Sequence, residues 1–360
     1  MIRRVTMLKV ARRAGVHVTT VSLALRNHPS LPLTTRQRLQ ALAKKMGYQP
    51  DPALSSLVAY RKSLRPMKNR LTLAYVTDWQ SRWGWKKRPA HAQFFAGATA
   101  KAQLLGYKLE HFWQAEPGLT HKRLSEMLHA RGITGVIVAS HHRHTNDALR
   151  LDWEKFSGVK IDFFPHQPAL HSVSNDQRGI IQLAMRRVIA AGYRRIGVVM
   201  PAWWDQVVDL AWSSGFLAEQ QQLAPKERLP ILSYADPAAE YLVPAAAFEK
   251  WYRRHRPEVI LSYAPFVRPR LEAAGLAVPE AVAYVDLLLE RFDGTTAGIR
   301  HNCHCVGQLA VEILAGQLQL HSRGIPEFAT TTLVGGTWFD GKTLPPHPSR
   351  LTKPAPPILV

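Results

Sequence analysis

The chain has 360 residues, 46% of them hydrophobic and 20% charged, a balance that excludes a disordered or fibrous protein and leaves room for two or three folded domains. Its 47 Lys and Arg against 26 Asp and Glu give a formal charge of +21, and residues 1–70 hold 15 of those cations with one acid, Asp51. Two cysteines one residue apart, Cys303 and Cys305, exclude a disulfide framework, and no apolar run approaches the roughly 20 residues that cross a bilayer.

The opening MIRRVTMLKV lacks an apolar core of signal-peptide length, so the expected location is the cytoplasm, on the nucleoid, with no membrane partner. So basic a segment repels itself unless it meets a polyanion, and double-stranded DNA is the expected partner; a solvated basic face is the bland alternative. In chain order, Thr6 is placed to cap a helix ending at Ala14, with Leu8 and Ala11 on its inner face. Gly15 supplies the turn and Val16 plugs it. A second helix is expected over 18–26, with Val21, Ala24 and Leu25 inward. A third is expected from a Thr34 cap to Lys45, with Leu39, Leu42, Ala43 and Met46 apolar and Gly47 ending it. Three short helices crossing at small residues form a helix-turn-helix head, whose second helix enters the major groove.

The pattern VT-(x)3-VA-(x)2-AGV-(x)3-TVS followed by TR-(x)6-A-(x)3-GY-(x)-P is carried by Val5, Thr6, Val10, Ala11, Ala14, Gly15, Val16, Thr20, Val21, Ser22, Thr35, Arg36, Gly47, Tyr48 and Pro50. It resembles the lactose-repressor/galactose-repressor (LacI/GalR) family of transcription factors. The resemblance implies a homodimeric, non-enzymatic repressor that binds an operator duplex and answers to a small ligand, with no cofactor. His17 stands where the family usually has Ser, and Leu23 where it often has Arg. Val18, Thr19 and Leu23 are expected on the groove floor, offering a hydroxyl and apolar contacts to thymine methyls. Thr20, Ser22 and Thr35, with the arginines Arg26 and Arg36, are expected on phosphates, and Thr6 and His17 complete the DNA-contacting set.

In QPDPALSSLVAYRKS, Asp51 is an N-cap candidate and Pro52 suits the first helical position, giving about ten helical residues, a length marginal in water. The resemblance implies a hinge helix in 51–70 whose Leu57 wedges into the central minor-groove step. The other reading is a plain linker with Leu57 as a dimer contact.

From Leu71 strands alternate with helices. Strands are expected at 71–77, KLEHFW, 135–140, 195–200, 259–263 and 282–286, and helices at 94–107, 120–131, 178–191, 206–223, 267–274 and 305–318, with a turn at 173–176. The predicted fold is α/β: a three-helix head on 1–50, then a two-lobed core of parallel sheets on 71–344, resembling periplasmic binding proteins, and a disordered Pro-rich tail on 345–360. Ligands bind beyond the carboxyl ends of such strands. There lie Asp78, Trp79, Trp83, Trp203, Trp204 and Asp286, indoles beside carboxylates that suit a sugar's C–H face and hydroxyls. Trp212 takes the place where the family usually has a ligand-clamping Arg, and Ala264-Pro265 replace its Asn-Asp. The pocket is thus divergent, open to an oligosaccharide, an aromatic molecule or no ligand.

The runs His301-Asn-Cys-His-Cys305 and His141-His-Arg-His144 read as a helix cap with core and as a solvated loop, because structural metal sites space their ligands more widely. No nucleophile elbow, zinc-protease or phosphate-loop motif occurs. The rival function is an architectural DNA binder with a degenerate, ligand-free core. A carbohydrate enzyme or transport-binding protein is the third.

Overall fold

The computed structural model describes residues 5–25, 30–48, 71–141, 148–235 and 241–347. The head holds three helices, α1 (Met7–Ala14), α2 (Val18–Leu25) and α3 (Leu33–Lys45). The Thr6 hydroxyl accepts from the Lys9 N–H, and Gly15 ends α1 at φ +66°, a left-handed conformation that a side chain would disfavour. Val10, Ala11, Val21, Ala24, Leu39 and Ala43 form the buried core, with Val16 packed against it. Leu8 is 51% exposed, contrary to the expected inner face. The line through Val10, Ala11 and Ala14 already fills that face, and at 100° per residue Leu8 falls more than a quarter-turn away from it. Pro32, rather than Thr34, precedes α3, so Thr34 sits in the first turn.

The first lobe is built on β1 (Thr72–Asp78), β2 (Lys108–Trp113), β3 (Gly135–His141), β4 (Ser157–Ile161) and β5 (His171–Asn175), with α4 (Pro89–Leu104) and α5 (His121–Ala130) between them. The chain then crosses to the second lobe through α6 (Gln177–Ala190). There follow β6 (Ile196–Pro201), α7 (Ala202–Gln206), α8 (Ala211–Gln220), β7 (Leu232–Tyr234), α9 (Ala245–His255), β8 (Val259–Ser262), α10 (Ala264–Ala273), β9 (Ala283–Asp286) and β10 (Ala297–Arg300). It returns through α11 (Cys303–Leu320) to β11 (Thr331–Val334) in the first lobe and ends in the second with β12 (Thr337–Phe339). The sheet orders are β11-β5-β4-β3-β1-β2 and β12-β10-β9-β8-β6-β7, parallel throughout except for the β10–β12 pair. Alternate residues of β1 serve the two faces. Leu73 and Tyr75 pack under α4 and α11, while Ala74 and Val76 pack under α5.

Two glycines set the α4–α11 approach. A Cβ on Gly97 would collide with the His304 carbonyl, and one on Gly307 with that of Phe94. The expected turn at 173–176 is the end of β5, and Asp176 caps α6 by accepting from the Gly179 N–H at 2.8 Å. The expected helix over 206–223 is two helices, interrupted where Asp209 and Leu210 take φ of +53° and +57°. The tail's start is docked: Tyr193 donates to the Pro345 carbonyl and the His347 N–H to that of Ala191. No helix among the described residues is long and apolar enough to cross a membrane.

Candidate functional site

In the head, His17 caps α2. Its Nδ1 lies 2.8 Å from the Thr19 hydroxyl and accepts from the Thr19 N–H at 3.4 Å, so the imidazole does the work of a short hydroxyl side chain. Thr19 is exposed, and Thr20, Ser22 and Leu23 are half-buried along α2. Val18 departs from its expected place on the groove floor. Its side chain packs against the head core, because the first turn of α2 closes over Val16. Gln40 of α3 donates to the Ala24 carbonyl at 2.8 Å, locking α3 to the last turn of α2. Thr35 and Arg36 are half-buried in the first turn of α3, and the Thr6 hydroxyl is engaged in its cap. Arg26 and Leu57 lie outside the described residues. The described part of α2 bears no ionisable side chain, whereas α1 and α3 carry Lys9, Arg12, Arg13, Arg36, Arg38, Lys44 and Lys45.

In the core, the strand order reverses between β1 and β3 in one lobe and between β6 and β8 in the other, the places where open α/β sheets leave a crevice. At the first reversal stand Asp78 and Trp79, with Ser140 and His141 from the end of β3. His91 of α4 bonds the Ser140 hydroxyl through Nδ1 at 3.1 Å and meets Trp79 edge-on at 5.2 Å. His121 accepts from the Arg150 N–H at 3.0 Å and feels the Asp78 carboxylate. Burial pushes His141 down to about 4, so its ring is neutral. Nδ1 donates to the Ala139 carbonyl, which leaves the buried Nε2 lone pair with no partner among the described residues.

At the second reversal, Trp203 meets Tyr241 edge-on at 5.7 Å. Arg88, which precedes α4 in the other lobe, donates to the Tyr241 hydroxyl at 2.5 Å with its guanidinium carbon 5.1 Å from the ring. That contact joins the lobes across the cleft, and Phe163, beyond β4, packs against the second-lobe core. Trp204 stacks on Trp212 at 4.4 Å and 13°, and Trp212 on His301 at 6.0 Å and 23°. Trp212 is 1% exposed, so this expected ligand contact is core here. Asp286 is also buried. It accepts from the Leu288 N–H at 2.9 Å and from Ala264 at the start of α10, and burial lifts its carboxyl to about 7. Trp83, expected at the cleft, belongs to a cluster at the β2 edge. Its ring lies 4.3 Å from His111, with the Lys86 ammonium 4.0 Å above it. The short helical turn Gly84–Lys87 buries Trp85 and so turns Trp83 outward.

Arg88, His91, Phe163 and Tyr241 were not anticipated. Pro89, at the first position of α4, was a usable signal for Arg88, since it marks a helix start just past a strand end. Nothing local marks Tyr241. Cys303 is buried and receives the Asn175 amide at 3.6 Å, and no group of three or more metal-ligating side chains forms among the described residues.

Residues 6–51 match the family model for bacterial regulatory proteins of the lacI family. The HTH-type transcriptional regulator MalR of Streptomyces coelicolor is 29% identical over 196 residues, 53% of this chain and 52% of that protein. The regulator CelR of Thermobifida fusca is 25% identical over 201 residues, 55% of this chain and 56% of the relative. The chain thus matches about half the length of these curated relatives. Among solved structures, the lac repressor dimer bound to operator and an anti-inducer aligns with a TM-score of 0.53 at 17% identity, over 95% of this chain and all of that one. A CelR–cellobiose complex aligns with 0.54 at 18%, over 94% of this chain and all of its own. At such identities these two likenesses show the fold. With the capped three-helix head and the two-lobed parallel core, they lead to one assignment: residues 6–51 form a head of the lacI family of bacterial regulatory proteins, carried on a core with the fold of the lac repressor and CelR.

Proposed function

We propose that the protein is a homodimeric repressor acting in the cytoplasm. Its paired heads, residues 1–50, read a pseudo-palindromic operator, and a saccharide-class ligand in the cleft of the core, residues 71–344, modulates its affinity. The contacting set is Thr6, His17, Thr19, Thr20, Ser22, Leu23, Arg26, Thr35 and Arg36, with Val18 acting from behind through the head core. Residues 51–70 serve as the hinge, with Leu57 as the minor-groove wedge. The ligand is held by Asp78, Trp79, Trp203 and Trp204, with Asp286 behind them.

The observation that carries this reading is the Arg88–Tyr241 bridge between the two strand-order reversals. A ligand seated there competes with a polar contact that ties lobe to lobe, which couples occupancy to lobe angle and so to hinge pairing. CelR, a relative in sequence and fold, has been solved with cellobiose, which makes a disaccharide the first probe.

A second reading has its own support. Phe163 packs on the second-lobe core, and Trp212 is sealed within that core between Trp204 and His301, as in a protein that needs no ligand. Genomic footprinting names the operator and the neighbouring genes, and a thermal-shift series with cellobiose and maltose tests the cleft. A ligand at a hundred times its Kd adds about 2.7 kcal/mol. A flat series beside intact operator binding selects the ligand-free reading, and Leu57→Ala leaving DNA bending unchanged removes the wedge.

A further inference from the structure

A groove of about 400 Å³ runs between α1 and α3, lined by Arg13, Ala14, Arg38, Ala41, Leu42 and Lys45. No residue of α2 lines it. In a three-helix head whose second helix lies in the major groove, a groove that is made, among the described residues, by the other two opens away from that duplex. Its three cations are exposed, two of them on α3 about 10 Å apart along the axis and the third facing them from the last turn of α1. Residues 1–50 contain no Asp or Glu, so no carboxylate of the head can neutralise them. The rest of the chain does not carry a net negative charge either, and a second copy repeats the same balance.

We propose that this groove grips the phosphate backbone of a second DNA duplex, so that each head holds two DNA segments. One is read by α2 and the other is held without sequence preference. The inference rests on the reading that α2 enters a major groove. Arginine forks suit phosphate oxygens, and the Ala14–Ala41–Leu42 floor offers an apolar bed for deoxyribose. DNA is favoured over an acidic protein because a head already on DNA meets phosphates at high local concentration, and three cations can displace three condensed counterions.

The test is stoichiometry, measured on the full-length protein by native mass spectrometry and fluorescence titration with a random-sequence 12-bp duplex at low salt. The parent is expected to saturate at two duplexes per chain, and R13A/R38A/K45A at one. The variant's first association should weaken by less than about threefold, and the lost step should carry a log K–log salt slope of about −2.7. The milder R13Q/R38Q/K45Q covers a fold defect in the Ala variant. K86A/K87A/K108A, which removes three charges from the core, should keep two duplexes per chain. The inference is overturned by a parent that saturates at one, by a triple variant that retains two, or by polyglutamate displacing the second duplex as strongly as DNA does. If no random duplex binds at all, the inference is overturned as well, because the groove takes DNA without sequence preference, whereas the α2 reading is decided separately by the operator footprint.

Discussion

Asp286 provides a test of the cleft wall that can be worked through in numbers. Its carboxyl is 5% exposed, and burial lifts it from 3.8 to about 7. The folded state therefore holds a proton that the unfolded chain has already released. That contribution to stability is full below 3.8, declines as pH rises, and is gone above about 7. Between pH 5 and pH 7 the change is about 2 kcal/mol, at 1.36 kcal/mol per unit of the titration completed. His111, His141 and His301 run the other way. Each is pushed down to about 4 by burial, so stability from their neutral rings is present above 6.5 and is lost as pH falls toward 4. The raw pH profile mixes the two senses, so the informative quantity is the difference between Asp286→Asn and the parent. Urea unfolding followed by tryptophan fluorescence suits it, because Trp203, Trp204, Trp212 and Trp251 all sit in the second lobe. The variant should gain on the parent by about 2 kcal/mol from pH 5 to pH 7 and run parallel to it about one pH unit higher. Parallel curves throughout would refute the buried, proton-holding carboxyl.

The remaining predictions concern packing and capping. Gly97→Ala drives a methyl into the His304 carbonyl and should destabilise the first lobe by about 3 kcal/mol or more, read as a lowered Tm; an unchanged Tm would mean that the helices separate freely. Trp212→Ala should cost about 3–5 kcal/mol and leave an indole-sized void, so added free indole should restore part of the lost Tm. No response to indole would argue that the void collapses. His17→Ala removes the acceptor for the Thr19 N–H and should cost the head about 1 kcal/mol, seen as faster amide exchange in α2 and weaker operator binding, while His17→Ser restores both.

The head was the most legible part of the chain. Its cap, turn and core follow from contacts a few residues apart, such as Thr6 to Lys9 and the left-handed Gly15. Even there, Leu8 and Val18 were misassigned, because which side of a helix is inner depends on where its neighbours pack. In the core, long apolar strands such as β1 and β3 were plain, but β4, β7, β10 and α9 were not anticipated. The three strands are of three to five residues, too short to display a period, and β4 and β10 are largely buried on both faces and show no alternation to detect.

What the sequence determined by itself was local: the excess of positive charge at one end, the helix-turn-helix spacing, and the alternation that demands parallel sheets. Each rests on residues near one another in the chain, where backbone geometry alone dictates the neighbour. Only the tertiary structure decided that Trp212 is core, that Trp83 packs on His111 of β2, and that Arg88 reaches Tyr241 from 153 positions away. Those outcomes depend on how two sheets meet. A side chain's fate there is set by the surface brought against it, which no local pattern encodes.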